Sequence, residues 1–235
     1  MNNLDEIQVN ITDIKEEIKK TCQNCGRNPE DITLVVVTKT VDPERINYAV
    51  DCGVSNLGEN KVQEIVDKYE TVSKNVKWHL IGHLQTNKVK YIIDKVELIH
   101  SVDSVKLAEE ISKRAEKYDI TKDVLVQINV AEEETKFGIG LDEAVDFVKS
   151  ISEFDNIRIK GLMTIAPYSE DPEGVRLVFR QLKEKFDELS KLNLPNTDMK
   201  YLSMGMSNDY HIAIEEGANI IRVGTAIFGK RNYNK

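Results

Sequence analysis

No run in the sequence approaches 18 consecutive apolar residues, so nothing in it reads as a membrane-spanning helix. The opening stretch MNNLDEIQVNITDIKEE lacks the apolar segment that directs export, and neither a membrane nor a secreted location is expected. Cysteine is scarce: Cys22, Cys25 and Cys52 cannot pair completely, and a reducing cytoplasm is the expected location. Positive charge is in deficit, with 32 lysines and arginines against 40 aspartates and glutamates, a net charge of −8. A chain this acidic repels a phosphate backbone, which argues against nucleic acid as a main partner. A small anion can still be held by nearby amides and single cations. Metal-ligand patterns are missing too. Cys22-Gln-Asn-Cys25 has no second pair for zinc and falls at the C-terminal end of a predicted helix, where the dipole raises a thiol pKa. His79, His100 and His211 show no ligand spacing and are expected to be hydrogen-bonded structural residues; no metal is expected.

What is present is an ordinary globular composition, 40% hydrophobic and 31% charged, in 235 residues. Leu4, Ile7, Ile11, Ile14 and Ile18 recur at steps of three and four, which predicts an amphipathic helix over about 4–25, stopped by Gly26. Eight short β-branched runs follow: TLVVV at 33, GVSNL at 53, VKWHLIG at 76, ELIHSV at 97, DVLVQINV at 123, IRIKGLMTI at 157, MKYLSM at 199 and NIIRVG at 219. Helical patterns alternate with them, among them PERINYAVDC, KVQEIVDKY and SVKLAEEISKRAEKY, and every run except the last is expected to have a helix after it. Several runs are apolar on both faces, the mark of a parallel strand covered by helices. The fold class expected is α/β, a single (β/α)8 barrel with an extra N-terminal helix, forming one domain over 1–235. An open doubly wound sheet is the alternative; it would usually carry a Gly-rich first turn, and LVVVTKTVDPE has no glycine.

In such a barrel the working residues lie at the C-terminal ends of the strands, with phosphate often held after strands 7 and 8. Alternation puts Val35, Val37 and Lys39 on one face of the first strand. Lys39 therefore leaves an apolar environment, and desolvation favours the neutral amine that attacks carbonyls. The competing reading is a lysine reaching out to solvent or a carboxylate. At the other end of the chain, LSMGMSND (202–209) and RVGTAIFG (222–229) bring Gly205, Ser207, Gly224 and Thr225 to two neighbouring loops, the composition of a phosphate cradle. Ser-Asn-Asp at 207–209 reads as a helix start. Arg222, within the last strand, must find an acceptor or a ligand. Glu132-Glu133-Glu134 reads as a solvated loop face.

These stretches, together with LGENKVQEIVDK, KWHLIGHLQTNK, QINVAEEETKFGI, GLMTIAP and LSMGMSNDYHIAIEEGAN, resemble the pyridoxal 5′-phosphate (PLP) homeostasis proteins of the YggS/YlmE/PROSC type through nearly the whole chain. The resemblance implies a barrel like the alanine racemase N-terminal domain, with Lys39 as the Schiff-base lysine. It also implies that Ser207, Gly224 and Thr225 hold the phosphate, that Arg222 faces the pyridine nitrogen, and that Asn60 lines the pocket. His83 is a weaker candidate and departs from the family pattern. Lys136, in EETKFG, matches a recurring lysine and is a candidate secondary or transfer site. The function implied is PLP storage or delivery within the cell, as a monomer with a dimer left open, serving PLP-dependent apoenzymes and without catalytic turnover. The chain stops at Lys235, with no room expected for the second domain from which racemases draw a second base. The runner-up is a weak PLP-dependent amino-acid racemase; an aldolase and a regulatory interaction protein are the other rivals.

Overall fold

Short β-branched runs flanked by amphipathic segments bury both faces only when the strands lie side by side under a coat of helices. The computed structural model, which describes residues 3–133 and 135–229, takes that arrangement. The strands β1 (Thr33–Val37), β2 (Asn56–Glu59), β3 (Lys77–Leu80), β4 (Val96–Val102), β5 (Lys122–Gln127), β6 (Ile157–Met163), β7 (Thr197–Ser203) and β8 (Ile220–Val223) pair in parallel and in chain order. β8 returns to β1, from Thr33 opposite Ile220 to Val36 opposite Val223, and the barrel closes. This is a (β/α)8 TIM barrel.

The helices are α1 (Asn3–Asn24), α2 (Pro43–Asp51), α3 (Val62–Lys68), α4 (Val105–Lys117), α5 (Ala144–Ser152), α6 (Arg176–Ser190), α7 (Tyr210–Glu215) and α8 (Thr225–Phe228). α1 ends as its sequence predicts, at a Gly26 with φ 71°. Two expectations need correction. β3 is followed only by a 3-10 segment, Thr86–Tyr91, which buries Val89 alone and so has no stripe to drive a longer α-helix. β8 is followed by a helix after all, the single turn of α8, which seats Ile227.

Alternation divides each strand between two cores. Val35, Val37, Ile81, Leu98, Leu125, Met163 and Ile220 fill the barrel interior, while Val36, Leu57, Leu80, Val124, Leu162 and Val223 face the helices. Lys39, two residues beyond Val37, thus continues the inward face to the barrel mouth. α1 spans the seam where the barrel closes: Asn10 Nδ2 donates to the Ile227 carbonyl at 2.9 Å. Arg27, just past α1, donates to the carbonyls of Ile214 and Ala218.

α2 takes up the chain after the Lys39 turn. Pro43 sits in its first turn and Asp42 caps it, accepting from the Arg45 N–H at 3.0 Å. Asp42→Ala is expected to destabilise the fold by about 1 kcal/mol, seen as a lower urea midpoint with an unchanged slope.

Candidate functional site

The turn that presents Lys39 is held from outside the barrel by one buried cation. Lys68 Nζ donates to the Thr38 carbonyl at 2.9 Å, to Glu59 Oε1 at 2.7 Å and to Glu64 Oε2 at 2.8 Å. Thr38 Oγ1 donates to the same Glu59 oxygen at 2.7 Å, and Glu64 accepts from the Thr40 N–H at 2.6 Å. Thr40 has φ 62°, a left-handed conformation rare for a β-branched residue, so this grip is what keeps it there. Burial raises the Glu59 pKa against the pull of Lys68, and Glu59 Oε2 has no hydrogen-bond partner among the described residues. Burial also acts on Glu64, but the hydrogen bonds from Lys68 and the Thr40 N–H outweigh it and lower the pKa. Lys39 itself is half-buried and has no hydrogen bond or ion pair among the described residues.

Across the mouth, the loop after β7 is shaped by two residues. Gly205 takes φ 91°, and a Cβ there would lie 2.6 Å from the Cβ of Ala213, so the loop cannot pass so close to α7 with any other residue. The helix start read at Ser207-Asn208-Asp209 holds, since Asp209 is the N-cap residue of α7, but its carboxylate turns back to accept from the Met206 N–H at 2.5 Å and makes no cap bond. Burial raises the Asp209 pKa, opposed by the Met206 N–H and by Arg222. The Gly224 N–H donates to Ser207 Oγ at 3.4 Å and ties this loop to the one after β8. The backbone N–H groups of Ser207, Asn208 and Thr225 have no partner among the described residues.

Between these two sides lies a cavity of about 610 Å³. Lys39, Asn60, Ser207, Arg222, Gly224 and Thr225, the six residues picked out in the sequence, all line it, over an apolar floor of Val37, Ile81 and Ile165. Lys136 lines it as well, donating to Glu133 at 2.6 Å and to the Ile165 carbonyl at 3.4 Å. Glu133 is thus a partner of Lys136 rather than a purely solvated group; Glu134 lies outside the described residues. His83 does not line the cavity. Its ring stacks on Phe137 at 3.7 Å and bonds Asp103 at 3.2 Å, which turns it into a neighbouring groove.

Arg222 is buried, with Nη1 donating to Ser203 Oγ at 2.7 Å and Nη2 to the Thr164 carbonyl at 2.8 Å. Burial lowers its pKa to about 10, partly offset by Asp209, so it remains a cation at neutral pH. Cys22 is buried and its thiol pKa raised, first by burial and then by Cys25. Among the described residues no cluster of histidine, cysteine and carboxylate side chains could hold a metal ion, and no helix is long and apolar enough to cross a membrane. Sequence reasoning missed Ser203, Asp209 and the Glu59–Lys68–Glu64 group; Asp209 alone carried a local signal, and it was assigned to capping.

The family model of the alanine racemase N-terminal domain matches residues 3–232. The pyridoxal phosphate homeostasis protein of Aquifex aeolicus is 47% identical over 224 residues, 95% of this chain and 97% of that one. Its Escherichia coli K12 counterpart is 36% identical over 237 residues, 99% of this chain and 100% of that one. The structure of PipY from Synechococcus elongatus PCC7942 with PLP bound is similar at a TM-score of 0.78 and 31% identity, covering 91% of this chain and 100% of that one. With identity at this level over nearly its full length, and Lys39, Arg222 and the two small-residue loops gathered at one barrel mouth, the chain belongs to the pyridoxal phosphate homeostasis protein family, on the alanine racemase N-terminal-domain fold.

Proposed function

We propose that this chain binds pyridoxal 5′-phosphate through the Lys39 amine and serves the intracellular storage or delivery of that cofactor, without catalytic turnover. One observation carries the reading: a lysine amine and backbone N–H groups with no partner among the described residues line the same cavity as a buried guanidinium. The residues fit the group. Lys39 offers a primary amine for an aldehyde, and Ser207, Gly224 and Thr225 offer N–H and hydroxyl donors for a phosphate. Val37, Ile81 and Ile165 offer apolar surface for a ring, and Asn60 closes the side next to Lys39. Bound, the cofactor supplies an aldehyde for amines and an electron-withdrawing ring.

Arg222 argues for holding over turnover. It has donors and no acceptor, so it stabilises an unprotonated ring nitrogen and weakens the electron sink. No histidine among the described residues lines the cavity; the other amine there, Lys136, is engaged with Glu133, the Asp209 carboxylate accepts from the Met206 N–H, and Tyr168 at the rim is largely exposed. The chain then acts in the cytoplasm, as a monomer or a dimer, residues 1–235 forming one cofactor-holding domain, and passes the cofactor to PLP-dependent apoenzymes.

The test is a titration of the purified protein with PLP, followed by borohydride reduction and peptide mapping. A visible absorption band and label on the Lys39 peptide are expected. No band, or label recovered only on another peptide, overturns the binding mode; amino-acid racemisation well above the rate of free cofactor overturns the absence of turnover.

A further inference from the structure

Beneath Arg222 a file of polar side chains crosses the barrel interior. Ser203 Oγ lies 3.0 Å from His100 Nδ1, His100 Nε2 lies 2.9 Å from His79 Nδ1, and His79 Nε2 lies 3.1 Å from Asn56 Oδ1. Asn56 and His79 line a second cavity, of about 280 Å³, at the opposite end of the barrel. Ser203 and His100 are fully buried and His79 nearly so.

The donor order along this file follows from its upper end. Arg222 Nη1 can only donate, so Ser203 Oγ accepts from it. The Ser203 hydroxyl proton has one acceptor within reach among the described residues, His100 Nδ1. A neutral His100 then carries its proton on Nε2 and donates to His79 Nδ1. His79 in turn carries its proton on Nε2 and donates to Asn56 Oδ1, leaving Asn56 Nδ2 to donate to Ser55 Oγ at 3.1 Å. Reversing the order would leave the Ser203 proton buried with no acceptor. We propose that Asn56, His79, His100 and Ser203 form a one-way hydrogen-bond chain in which both imidazoles are neutral Nε2–H tautomers, and that this chain positions the Arg222 guanidinium at the barrel mouth.

Two physical effects support the neutral state. Burial lowers the His79 pKa to about 4, with Lys77 adding to it, and burial sets the His100 pKa well below its ordinary value, with His79 and Arg222 adding like-charge repulsion. The chain's consequence for Arg222 is geometric. Ser203 Oγ, with its proton committed to His100, presents lone pairs to Nη1, and the Thr164 carbonyl fixes Nη2. The guanidinium plane is set by two acceptors, in a residue that lines the cavity. His79 and His100 are positioning residues, and the link to the cofactor rests on the reading of Arg222 given above.

The test begins on cofactor-free protein, with nitrogen-15 NMR of the imidazole and guanidinium groups. Both rings are expected to show a proton on Nε2 and none on Nδ1 between about pH 6 and 8, the range in which an ordinary histidine titrates. Arg222 is expected to give separate, non-averaged Nη signals. An Nδ1–H tautomer at either ring, or a doubly protonated ring in that range, overturns the chain. In Ser203→Ala the Arg222 signals are expected to average and PLP binding to weaken about tenfold, as for a lost hydrogen bond to a charged group, with Ser203→Thr restoring both. Arg222 signals and affinity left unchanged in Ser203→Ala overturn the positioning role. A wild-type protein that shows both tautomers but binds no PLP overturns the proposed function and supports the chain, because the NMR readouts need no cofactor.

Discussion

Lys39→Ala is expected to abolish covalent capture of PLP: no visible band on titration and no hydride-trapped label. Among the described residues the cavity contains two lysine amines, and their surroundings differ. Lys39 follows Val37 on the inward face of β1 and has no partner among the described residues, whereas Lys136 is tied to Glu133 at 2.6 Å and to the Ile165 carbonyl. The phosphate donors of the β7 and β8 loops are untouched in the variant, so weak binding without a covalent link should persist. That binding is expected to be weaker by on the order of 100-fold, about 3 kcal/mol. Because Lys39 makes no stabilising hydrogen bond or ion pair among the described residues, the melting temperature should move little, which separates a lost attachment point from a lost fold. Full labelling of the variant at the Lys136 peptide would transfer the role to that amine.

Lys68→Met is expected to cost about 3–5 kcal/mol, the range for removing one partner of a buried ion pair. Lys68 is the cation that compensates Glu59, whose side chain is fully buried and already has one oxygen unpartnered. The variant leaves that carboxylate without its charge partner and frees the Thr38 carbonyl and Glu64 at the same time. The double variant Lys68→Met/Glu59→Gln should recover much of the loss, since it removes the uncompensated charge. The pH dependence has a definite sign. A carboxylate whose folded pKa is raised opposes folding above its unfolded value, near about 4.3, and the penalty grows until the folded pKa is passed. Burial already raises Glu59, and loss of Lys68 raises it further, so the deficit of Lys68→Met should shrink as pH falls from 7 towards about 4.3. Urea melts at the two pH values measure this. A deficit independent of pH would assign the loss to packing. The left-handed Thr40 also loses its support indirectly, through Glu64, so capture of PLP by Lys39 should slow in the same variant.

The barrel and its working end were legible because both rest on local pattern. Period-two alternation in TLVVVTK gave the inward face of β1 and put Lys39 at its end, and small residues near 205 and 224 marked the two loops that the structure brings together. What sequence could not show are contacts made by register. Glu64 and Lys68 look like a solvated helix pair at i,i+4, and only the position of β2 adds Glu59 and buries the group. His79 and His100 have no ligand spacing, and they meet because β3 and β4 are neighbours with a register shift next to His79. Asp209 does stand at the N-cap of α7, as its type suggests, but the loop uses its carboxylate on Met206, a contact that residue type alone does not reveal. His83 failed because its outward stacking partner, Phe137, lies 54 residues further along the chain.

Barrel closure has a consequence for biosynthesis. Asn10 on α1 and Ile227 on α8 are 217 residues apart, and β1 meets β8 only across the same seam. At translation rates of about 5–20 residues per second, the first strand waits roughly 10–40 s for its last neighbour to leave the ribosome. Throughout that interval the nascent chain carries two open strand edges and an α1 without its contacts to α7 and α8, the surfaces on which polypeptides stick to one another, so chaperone demand should last until β8 closes the barrel.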